Sequence, residues 1–351
     1  PRLQLALQLC LATALLPTKG YSDRQTGEAF LRAQELCQAV DDEEALFPIY
    51  LGLHAFHVVR GEFDKSSEIA ATSLKLAERL PTPQPMIFSL CTSGFNNWWL
   101  GRLPRALQWF EKMIALEDRE KPESVAAQYG EEPGLSGRWI MAVVLWKLGY
   151  PDRALEISNN ALDSVRQLAH ANTLAIGLEW SCIQYHIRGD PRAVGRFAEE
   201  VIAFSEEQRL PQWLTWGRVY RNIAAIAMGD NDLAPLRSAI EDSHRMGPVF
   251  RPYFLACHAD CCRMLGEVAE GFDALDRAMA AHAETGEAWW LPEIHRLRGD
   301  LHLKADSGQE SEAESAYSSA LDISRGQEAK SLELRAAHSL AQLWHGQGKS
   351  A

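Results

Sequence analysis

In the segment Leu148-Gly149-Tyr150-Pro151-Asp152-Arg153-Ala154, a glycine separates an apolar sequence from an acidic one. Glycine readily adopts the left-handed conformation that ends a helix, and proline or aspartate can then start the next helix. Similar turns are Arg60-Gly61-Glu62-Phe63, Arg188-Gly189-Asp190-Pro191 and Met228-Gly229-Asp230-Asn231. Each stretch predicts two antiparallel helices, A and B, joined by a tight turn.

The glycine turn recurs along the whole chain. Nine glycines stand at intervals of 41, 40, 48, 40, 40, 37, 42 and 40 residues: Gly20, Gly61, Gly101, Gly149, Gly189, Gly229, Gly266, Gly308 and Gly348. Five residues after the glycine there is usually a small residue, which lets helix A lie close against helix B; these are Ser66, Ala106, Ala154, Ala234, Gly271 and Ala313, with Ala193 shifted by one. The pattern is typical of a tetratricopeptide hairpin, although its usual period is about 34 residues.

These regularities predict an all-α fold. We expect a tetratricopeptide-like α-solenoid, a right-handed superhelix of about eight antiparallel hairpins plus a C-terminal helix, forming a single repeat domain over residues 1–351. The predicted units are 1–41, 42–82, 83–118, 134–170, 171–209, 210–247, 248–286 and 287–327, followed by a terminal helix at 329–345. The interval of 48 residues indicates a polar insertion at 118–133, either a loop of variable length or a docking or regulatory loop.

Composition narrows the function classes. The formal charge of −12 argues against non-specific binding of nucleic acid or of an anionic membrane surface. Seven irregularly spaced cysteines argue against a disulfide framework and favour the cytoplasm. The apolar segment Leu3–Leu16 is too short to span a bilayer and is interrupted by Gln4 and Gln8, so we expect an amphipathic helix. Because no helix cap precedes it, we expect the chain to be a fragment of a longer protein.

The charge is distributed unevenly. The predicted A segments carry a net charge of +8 and ten of the eleven tryptophans, whereas the rest of the chain carries −20; these segments are 3–16, 46–60, 85–100, 134–148, 172–188, 211–228, 249–265, 289–304 and 329–345. A helices line the concave face of a tetratricopeptide superhelix, so we expect a basic, aromatic groove that suits an acidic or aromatic peptide. The alternative is that these tryptophans mainly pack one hairpin on the next.

Candidate groove residues follow from the positions ten, six and three residues before the turn glycine. Asp260 is at one of these positions, and Arg218 and Arg221 lie close by. The predicted partner-binding residues are Trp98, Trp139, Trp146, Glu179, His186, Arg218, Arg221 and Arg263.

No strong catalytic motif is present. Gly346-Gln347-Gly348-Lys349-Ser350 is similar to the end of a phosphate-binding loop, but position 343 is leucine where that loop needs glycine, so we expect a helix-ending turn. In Cys257-His258-Ala259-Asp260-Cys261-Cys262, thiols and an imidazole recur at i, i+4, which could hold zinc or simply pack in a helix. We expect packing, and we predict no catalytic residue, no metal and no cofactor.

Several stretches resemble a known family. They are Thr18–Tyr21, Ala33–Gln38, Leu46–Glu62, Tyr129–Gly134, Leu148–Ala154, Arg251–Leu255 and Glu287–Leu303. They resemble the C-terminal tetratricopeptide region of bacterial multidomain class III adenylate/guanylate cyclases that also carry an AAA-type, STAND-like ATPase. The resemblance implies a regulatory or scaffolding arm of a bacterial signalling protein. Neither a cyclase site nor a Walker A loop occurs in the sequence, so neither activity carries over.

Three hypotheses follow, in decreasing order. The first is a non-catalytic module that binds a peptide, a partner protein or a sister domain of the same polypeptide in the concave groove. The second is a sensor of a small molecule bound in the same groove, controlling an attached ATPase, cyclase or transcription module. The third is an enzyme or metal site around Cys257–Cys262.

Overall fold

The computed structural model describes residues 2–40, 43–305 and 308–349, and all regular secondary structure within these ranges is helical. The predicted boundary between the first two units, at 41/42, lies outside the described residues. The helices are α1 (Arg2–Lys19), α2 (Arg24–Val40), α3 (Leu46–Val59), α4 (Phe63–Ala77), α5 (Pro83–Trp99), α6 (Leu103–Glu120), α7 (Ala126–Tyr129), α8 (Pro133–Lys147), α9 (Pro151–Leu168), α10 (Ala171–Arg188), α11 (Pro191–Gln208), α12 (Pro211–Ala227), α13 (Ala234–Arg245), α14 (Arg251–Leu265), α15 (Val268–Thr285), α16 (Leu291–Lys304), α17 (Glu310–Gly326) and α18 (Lys330–Gly346).

The helices pair as the glycine turns predict. Eight A/B hairpins are formed by α1/α2, α3/α4, α5/α6, α8/α9, α10/α11, α12/α13, α14/α15 and α16/α17, and α18 follows the last. The predicted all-α solenoid of eight hairpins and a C-terminal helix is therefore confirmed. None of the described helices is both long enough and apolar enough to cross a lipid bilayer.

The turn glycines adopt the predicted conformation. All nine have positive φ, between 67° and 116°. At Gly149 the turn is closed by two backbone hydrogen bonds: Gly149 N donates to Trp146 O at 3.1 Å, and Tyr150 N donates to Leu145 O at 2.9 Å. This pairing satisfies carbonyl groups that the end of a helix leaves without a partner.

The small residue of helix B is buried in most units but not in the sixth. Ala106 and Ala154 are fully buried, whereas Ala234 is exposed and its neighbour Leu233 is buried instead. In the loop before α13, Asp232 N donates to Asp230 Oδ1 and Ala234 N donates to Asp232 Oδ1. These local bonds delay the start of α13, so the expectation for Ala234 was wrong.

The superhelix closes on itself after about five units. Carbonyl groups near the ends of early A helices accept hydrogen bonds from segments that start later A helices. Val249 N donates to Val59 O at 3.3 Å, and Ala288 N donates to Trp99 O at 2.8 Å. Ser331 Oγ donates to Trp146 O at 2.5 Å. One turn of the solenoid therefore stacks on the next, and the concave face becomes an interior.

The insertion between α6 and α8 is anchored to this interior. Its single helical turn, α7, buries Tyr129 against Phe88 at a ring-centroid distance of 6.3 Å. Asn172 Nδ2 donates to Gly130 O at 3.0 Å. The segment expected as a polar loop thus contributes to the core and leads directly into Glu131.

The first helix has apolar residues on two faces. Leu5, Ala12 and Leu16 are buried against the following helices, while Leu3, Leu7 and Leu11 are 74%, 63% and 51% exposed. The last three are four residues apart and form one exposed stripe. The predicted helix is present, but its outer face is not polar.

Candidate functional site

Aromatic rings fill the interior of the superhelix. Trp98 lies 4.8 Å from Trp289 between ring centroids, Trp99 lies 4.8 Å from Phe250, and Tyr253 lies 4.8 Å from Trp289. All five residues are buried. We call these five rings the aromatic partition; two of them, Trp99 and Phe250, also line the second of the two cavities described below.

The first cavity, the polar cleft, has a volume of about 370 Å³ and is lined by residues of the second half of the chain, most of them on A helices. Its rim includes exposed residues: Asp190, Ala227 and Met264. Its walls are built from His186, Val194, Ile223, Ala224, Ala256, Cys257, Asp260, Cys261, Trp290, Glu293, Arg296, Leu297 and Arg335.

An ion-pair network forms one wall of the polar cleft. Glu293 is 3% exposed and is paired with Arg296 and, at 3.2 Å, with Arg335. Burial alone would raise the pKa of Glu293, but the two guanidinium groups lower it to about 2. Arg335 Nη2 also donates to Ile187 O at 2.7 Å, and its guanidinium lies 5.0 Å from the ring of Trp146. The wall is held by contacts among four helices, α8, α10, α16 and α18.

A neutral histidine stands beside this wall. His186 Nδ1 lies 2.6 Å from Tyr253 Oη, and His186 Nε2 lies 3.9 Å from Cys257 Sγ. Burial lowers the pKa of His186 to about 4, so the ring is uncharged at neutral pH. Burial also raises the pKa of the Cys257 thiol well above its usual range, so it is not a reactive thiolate.

The polar cleft has mixed charge, whereas the sequence predicted a basic groove. Arg263 pairs with Asp260 at 2.6 Å, and Arg296 pairs with Asp300 at 2.7 Å. The sequence count pooled all A segments, and it could not show that the few A-helix carboxylates gather beside these arginines. The expectation of a basic groove is therefore corrected.

The second cavity, the aromatic cavity, has a volume of about 90 Å³ and lies in the first half of the interior. Its lining is mainly apolar and includes two carboxyl groups, Glu131 and Glu179. Burial raises the pKa of Glu131 to about 7, and that of Glu179 to about 8. Tyr220 Oη donates to Glu179 Oε1 at 3.3 Å. Within the described ranges Glu179 Oε2 has no hydrogen-bond partner.

The predicted groove residues are distributed over both cavities and the core. His186 lines the polar cleft, Arg263 is ion-paired at its edge, and Glu179 lines the aromatic cavity. Trp98 belongs to the aromatic partition, and Trp146 is buried beneath Arg335.

The remaining predicted residues lie elsewhere. Trp139 is 1% exposed. Its ring packs so closely on Gly177 that a Cβ added at Gly177 would lie 2.5 Å from it. Arg218 is exposed and lies 3.4 Å from Glu206. Arg221 lines a shallow surface depression, away from both cavities. A binding role for any of the eight residues stays a prediction.

The cysteine-rich stretch divides between two surroundings. Cys257 and Cys261 line the polar cleft. His258 and Cys262 instead meet Glu270, with their ligand atoms within 4.8 Å of one another. The Glu270 carboxylate already accepts two hydrogen bonds from Arg237, at 2.5 and 2.7 Å. A guanidinium at this place competes with a cation, so the absence of a metal stays our prediction.

Some site residues had little signal in the sequence. Arg335 lies on the terminal helix, outside the positions counted back from the turn glycines, and Glu131 lies in the insertion. Phe250 is the residue immediately before α14. Although it is not a glycine, it has a φ of 62°, and its ring belongs to the aromatic partition. Asp260 did carry a signal, because it stands six residues before a turn glycine.

No protein-family model matches the chain. An uncharacterized protein of Rhizobium meliloti (strain 1021) is 24% identical over 96% of this chain and 33% of its own length, so the chain spans one third of that relative. Among solved structures, a Rap protein complexed with Competence and Sporulation Factor matches 98% of this chain and 99% of its own, at 9% identity and a TM-score of 0.59. A tetratricopeptide repeat protein from Parabacteroides merdae matches 83% and 98%, at 13% identity and a TM-score of 0.39. The chain is similar in fold to helical-repeat proteins.

Proposed function

We propose that this chain is a non-catalytic interaction module that binds a peptide, or a segment of a partner domain, in the polar cleft. The observation that carries the proposal is the cleft itself: a cavity of about 370 Å³ with exposed rim residues, an apolar floor and fixed charges of both signs. Apolar pockets with a few fixed polar groups are typical of binding sites. An extended segment that carries both an acidic and a basic side chain fits this lining.

The fold gives independent support. A Rap protein whose structure contains a bound factor is similar to this chain over nearly its whole length, with a TM-score of 0.59. At 9% identity this likeness concerns the architecture alone. It shows that a solenoid of this architecture can hold a partner.

The wider context is part of the same proposal. We infer that the chain acts as the regulatory arm of a larger cytoplasmic, bacterial signalling protein of the cyclase or ATPase type. The resemblance of the quoted stretches supports this inference, as does a relative three times as long as the match. The irregular spacing of the seven cysteines is consistent with a reducing compartment.

The test is to block the polar cleft without disturbing the core. Ala227 is exposed at the rim, so Ala227→Trp fills the entrance and leaves the buried lining unchanged. Ala269 is exposed on α15 outside the cleft, so Ala269→Trp is the matched control. Peptides selected from a random display library on the wild-type chain are synthesised, and their affinity for the three proteins is measured by fluorescence anisotropy.

We expect the Ala227→Trp variant to lose at least about tenfold in affinity, or about 1.4 kcal/mol, while the control keeps it. If the selected peptides bind both variants equally well, the site lies outside the cleft. If selection yields no peptide that binds, the peptide-binding proposal fails.

A further inference from the structure

The aromatic cavity has a composition that the interaction proposal does not use. Six aromatic side chains line it, apart from Tyr21: Phe95, Trp99, Trp180, Trp213, Trp216 and Phe250. Their rings are in mutual contact, for example Trp216 and Phe250 at 5.1 Å and Trp213 and Trp216 at 5.3 Å. Among the described residues that line the cavity there is no lysine or arginine. The charge of its two carboxyl groups is therefore not balanced within the cavity.

Glu179 is the most informative of these groups. It is fully buried, and one of its oxygens, Oε2, has no hydrogen-bond partner in the described part of the chain. A buried carboxyl oxygen without a partner costs free energy and is rare in native structures. Glu131, the second carboxyl group, accepts a long hydrogen bond from Ser136 Oγ at 3.5 Å, its one side-chain donor among the described residues. Both side chains thus have hydrogen-bonding capacity that a ligand could satisfy.

We propose that the aromatic cavity binds a small organic cation, an alkylammonium or guanidinium group, between its aromatic rings and the carboxylate of Glu179. Aromatic rings attract cations through their quadrupole, most strongly when the cation is removed from water. A carboxylate in the same enclosure adds a charge-assisted hydrogen bond. Neutral and anionic ligands of equal size lack one or both of these attractions.

The size of the cavity limits the ligand. An apolar cavity of about 150 Å³ accommodates benzene, with six heavy atoms. A volume of about 90 Å³ therefore suits a group of about four heavy atoms. Trimethylammonium and guanidinium both have four. The usual ceiling on binding energy per atom then sets the dissociation constant of such a probe at about 40 μM or weaker.

Proton release provides a second signature. The titratable groups that line the cavity are Tyr21, His54, Cys91, Glu131 and Glu179. Tyr220, Tyr253 and Cys182 interact electrostatically with Glu179, and Glu132 interacts with Glu131. Burial raises the pKa of the three tyrosines and of both cysteines, and lowers that of His54 to about 4. Burial also raises the pKa of Glu132, which lies outside the cavity, so the carboxyl groups that line the cavity and titrate near neutral pH are Glu131 and Glu179. Since a bound cation favours their ionised form, its affinity should rise with pH, by at most about tenfold per unit for each proton released.

The experiment uses the full chain and trimethylammonium, with tert-butanol as a neutral probe of similar size and acetate as an anion. Binding is followed by tryptophan fluorescence. The first variant is Glu179→Gln, in which the amide oxygen can still accept the hydrogen bond from Tyr220. The second is Glu131→Gln, and its control is Glu132→Gln, because Glu132 bonds Ser124 Oγ at 2.6 Å outside the cavity. Blocked lysine and blocked arginine show whether a peptide side chain can supply the cation.

We expect saturable binding of trimethylammonium that weakens at least about tenfold in Glu179→Gln, and by a similar factor between about pH 8.5 and pH 6.5. Glu131→Gln should weaken it and Glu132→Gln should not. Equal binding of tert-butanol, or no saturable signal up to about 50 mM of the cation, overturns the proposal. If lysine or arginine with blocked termini binds and trimethylammonium does not, the cation is supplied by the side chain of a peptide. The outcome leaves the polar cleft untouched, because Ala227→Trp tests a different cavity.

Discussion

Replacing Lys147 with methionine should stabilise this protein. Lys147 is the last residue of α8 and is fully buried, with its ammonium 5.0 Å and 5.6 Å from the rings of Trp289 and Trp290. Across the described residues its Nζ has no hydrogen-bond partner. Methionine has a similar length, fills the same space and makes favourable sulfur–aromatic contacts. The substitution removes a buried charge and keeps the packing.

The magnitude follows from the pKa of the amine. Burial lowers it from 10.5 to about 7, although Glu293 opposes the shift. The unfolded chain binds the proton up to about pH 10.5 and the folded chain only up to about pH 7, so the free energy of unfolding rises with pH between these values. At about 1.36 kcal/mol per unit, charge burial costs about 5 kcal/mol below pH 7 and about 1 kcal/mol at pH 9.5. The gain from methionine should shrink by the same amount as pH rises.

The assay is urea denaturation followed by circular dichroism at several pH values, with the variant compared to wild type at each. The control is Lys112→Met, because the Lys112 ammonium also lies over a tryptophan ring, at 4.9 Å from Trp109, but its side chain is exposed. We expect the control to change the free energy of unfolding by no more than about 0.5 kcal/mol at any pH. Two results would contradict this prediction: a Lys147→Met variant less stable than the wild type, or a gain in the free energy of unfolding that does not depend on pH. Either result would mean that the Lys147 ammonium is paired or hydrated in the folded chain.

Three further predictions concern single side chains. A Cβ on Gly177 would lie 2.5 Å from the Trp139 ring, so Gly177→Ala should lower the free energy of unfolding by about 1–3 kcal/mol. A Cβ on Gly195 would have its nearest atom at 3.6 Å, so Gly195→Ala should raise the free energy of unfolding by about 0.5–1 kcal/mol, and thermal melts compare the two variants. Burial raises the pKa of Glu179 in the folded chain to about 8. As pH rises from about 4.5 to 8, Glu179 ionises in the unfolded chain but not in the folded chain, so the free energy of unfolding of the wild type falls. Glu179→Gln should therefore gain up to about 5 kcal/mol relative to the wild type over that window, as measured by urea titrations. Leu7 is 63% exposed, so Leu7→Gln should change the free energy of unfolding by less than about 0.5 kcal/mol. A larger loss would mean that self-association covers the exposed stripe of Leu3, Leu7 and Leu11, which sedimentation velocity would detect.

The fold could be predicted because its signal is local. Each hairpin needs a residue with positive φ at its turn and a small residue where the two helices touch. Every hairpin has the turn glycine, and most have the small residue five positions after it. The sixth unit shows the limit of this reasoning, since two aspartates before α13 hold the backbone in local turns and displace Ala234 from the contact. Such side-chain bonds compete with the helix at single residues and leave the period unchanged.

The sites could be predicted only in part, because they depend on contacts between distant units. The rule for positions before the turn glycine selects His186 and Asp260, which line the polar cleft, and Glu179, which lines the aromatic cavity, but it predicted a single groove and did not distinguish the two cavities. Arg335 could not be found this way, because it reaches the cleft only when the terminal helix packs below Trp146. The distance between those two residues along the chain is set by the pitch of the superhelix, which no local pattern encodes.

Closure of the superhelix also changes what a tryptophan in an A helix means. In an open solenoid such a ring faces the groove and is available to a partner, but here the stacked turns enclose Trp98 and Trp289 as core residues. Aromatic content alone therefore stops being a signal for binding. A cavity is a better signal inside the closed superhelix, and it is stronger where the cavity wall holds a polar atom that has no partner among the described residues, such as Glu179 Oε2. Its desolvation destabilises the free protein, and a ligand that satisfies it recovers that free energy on binding.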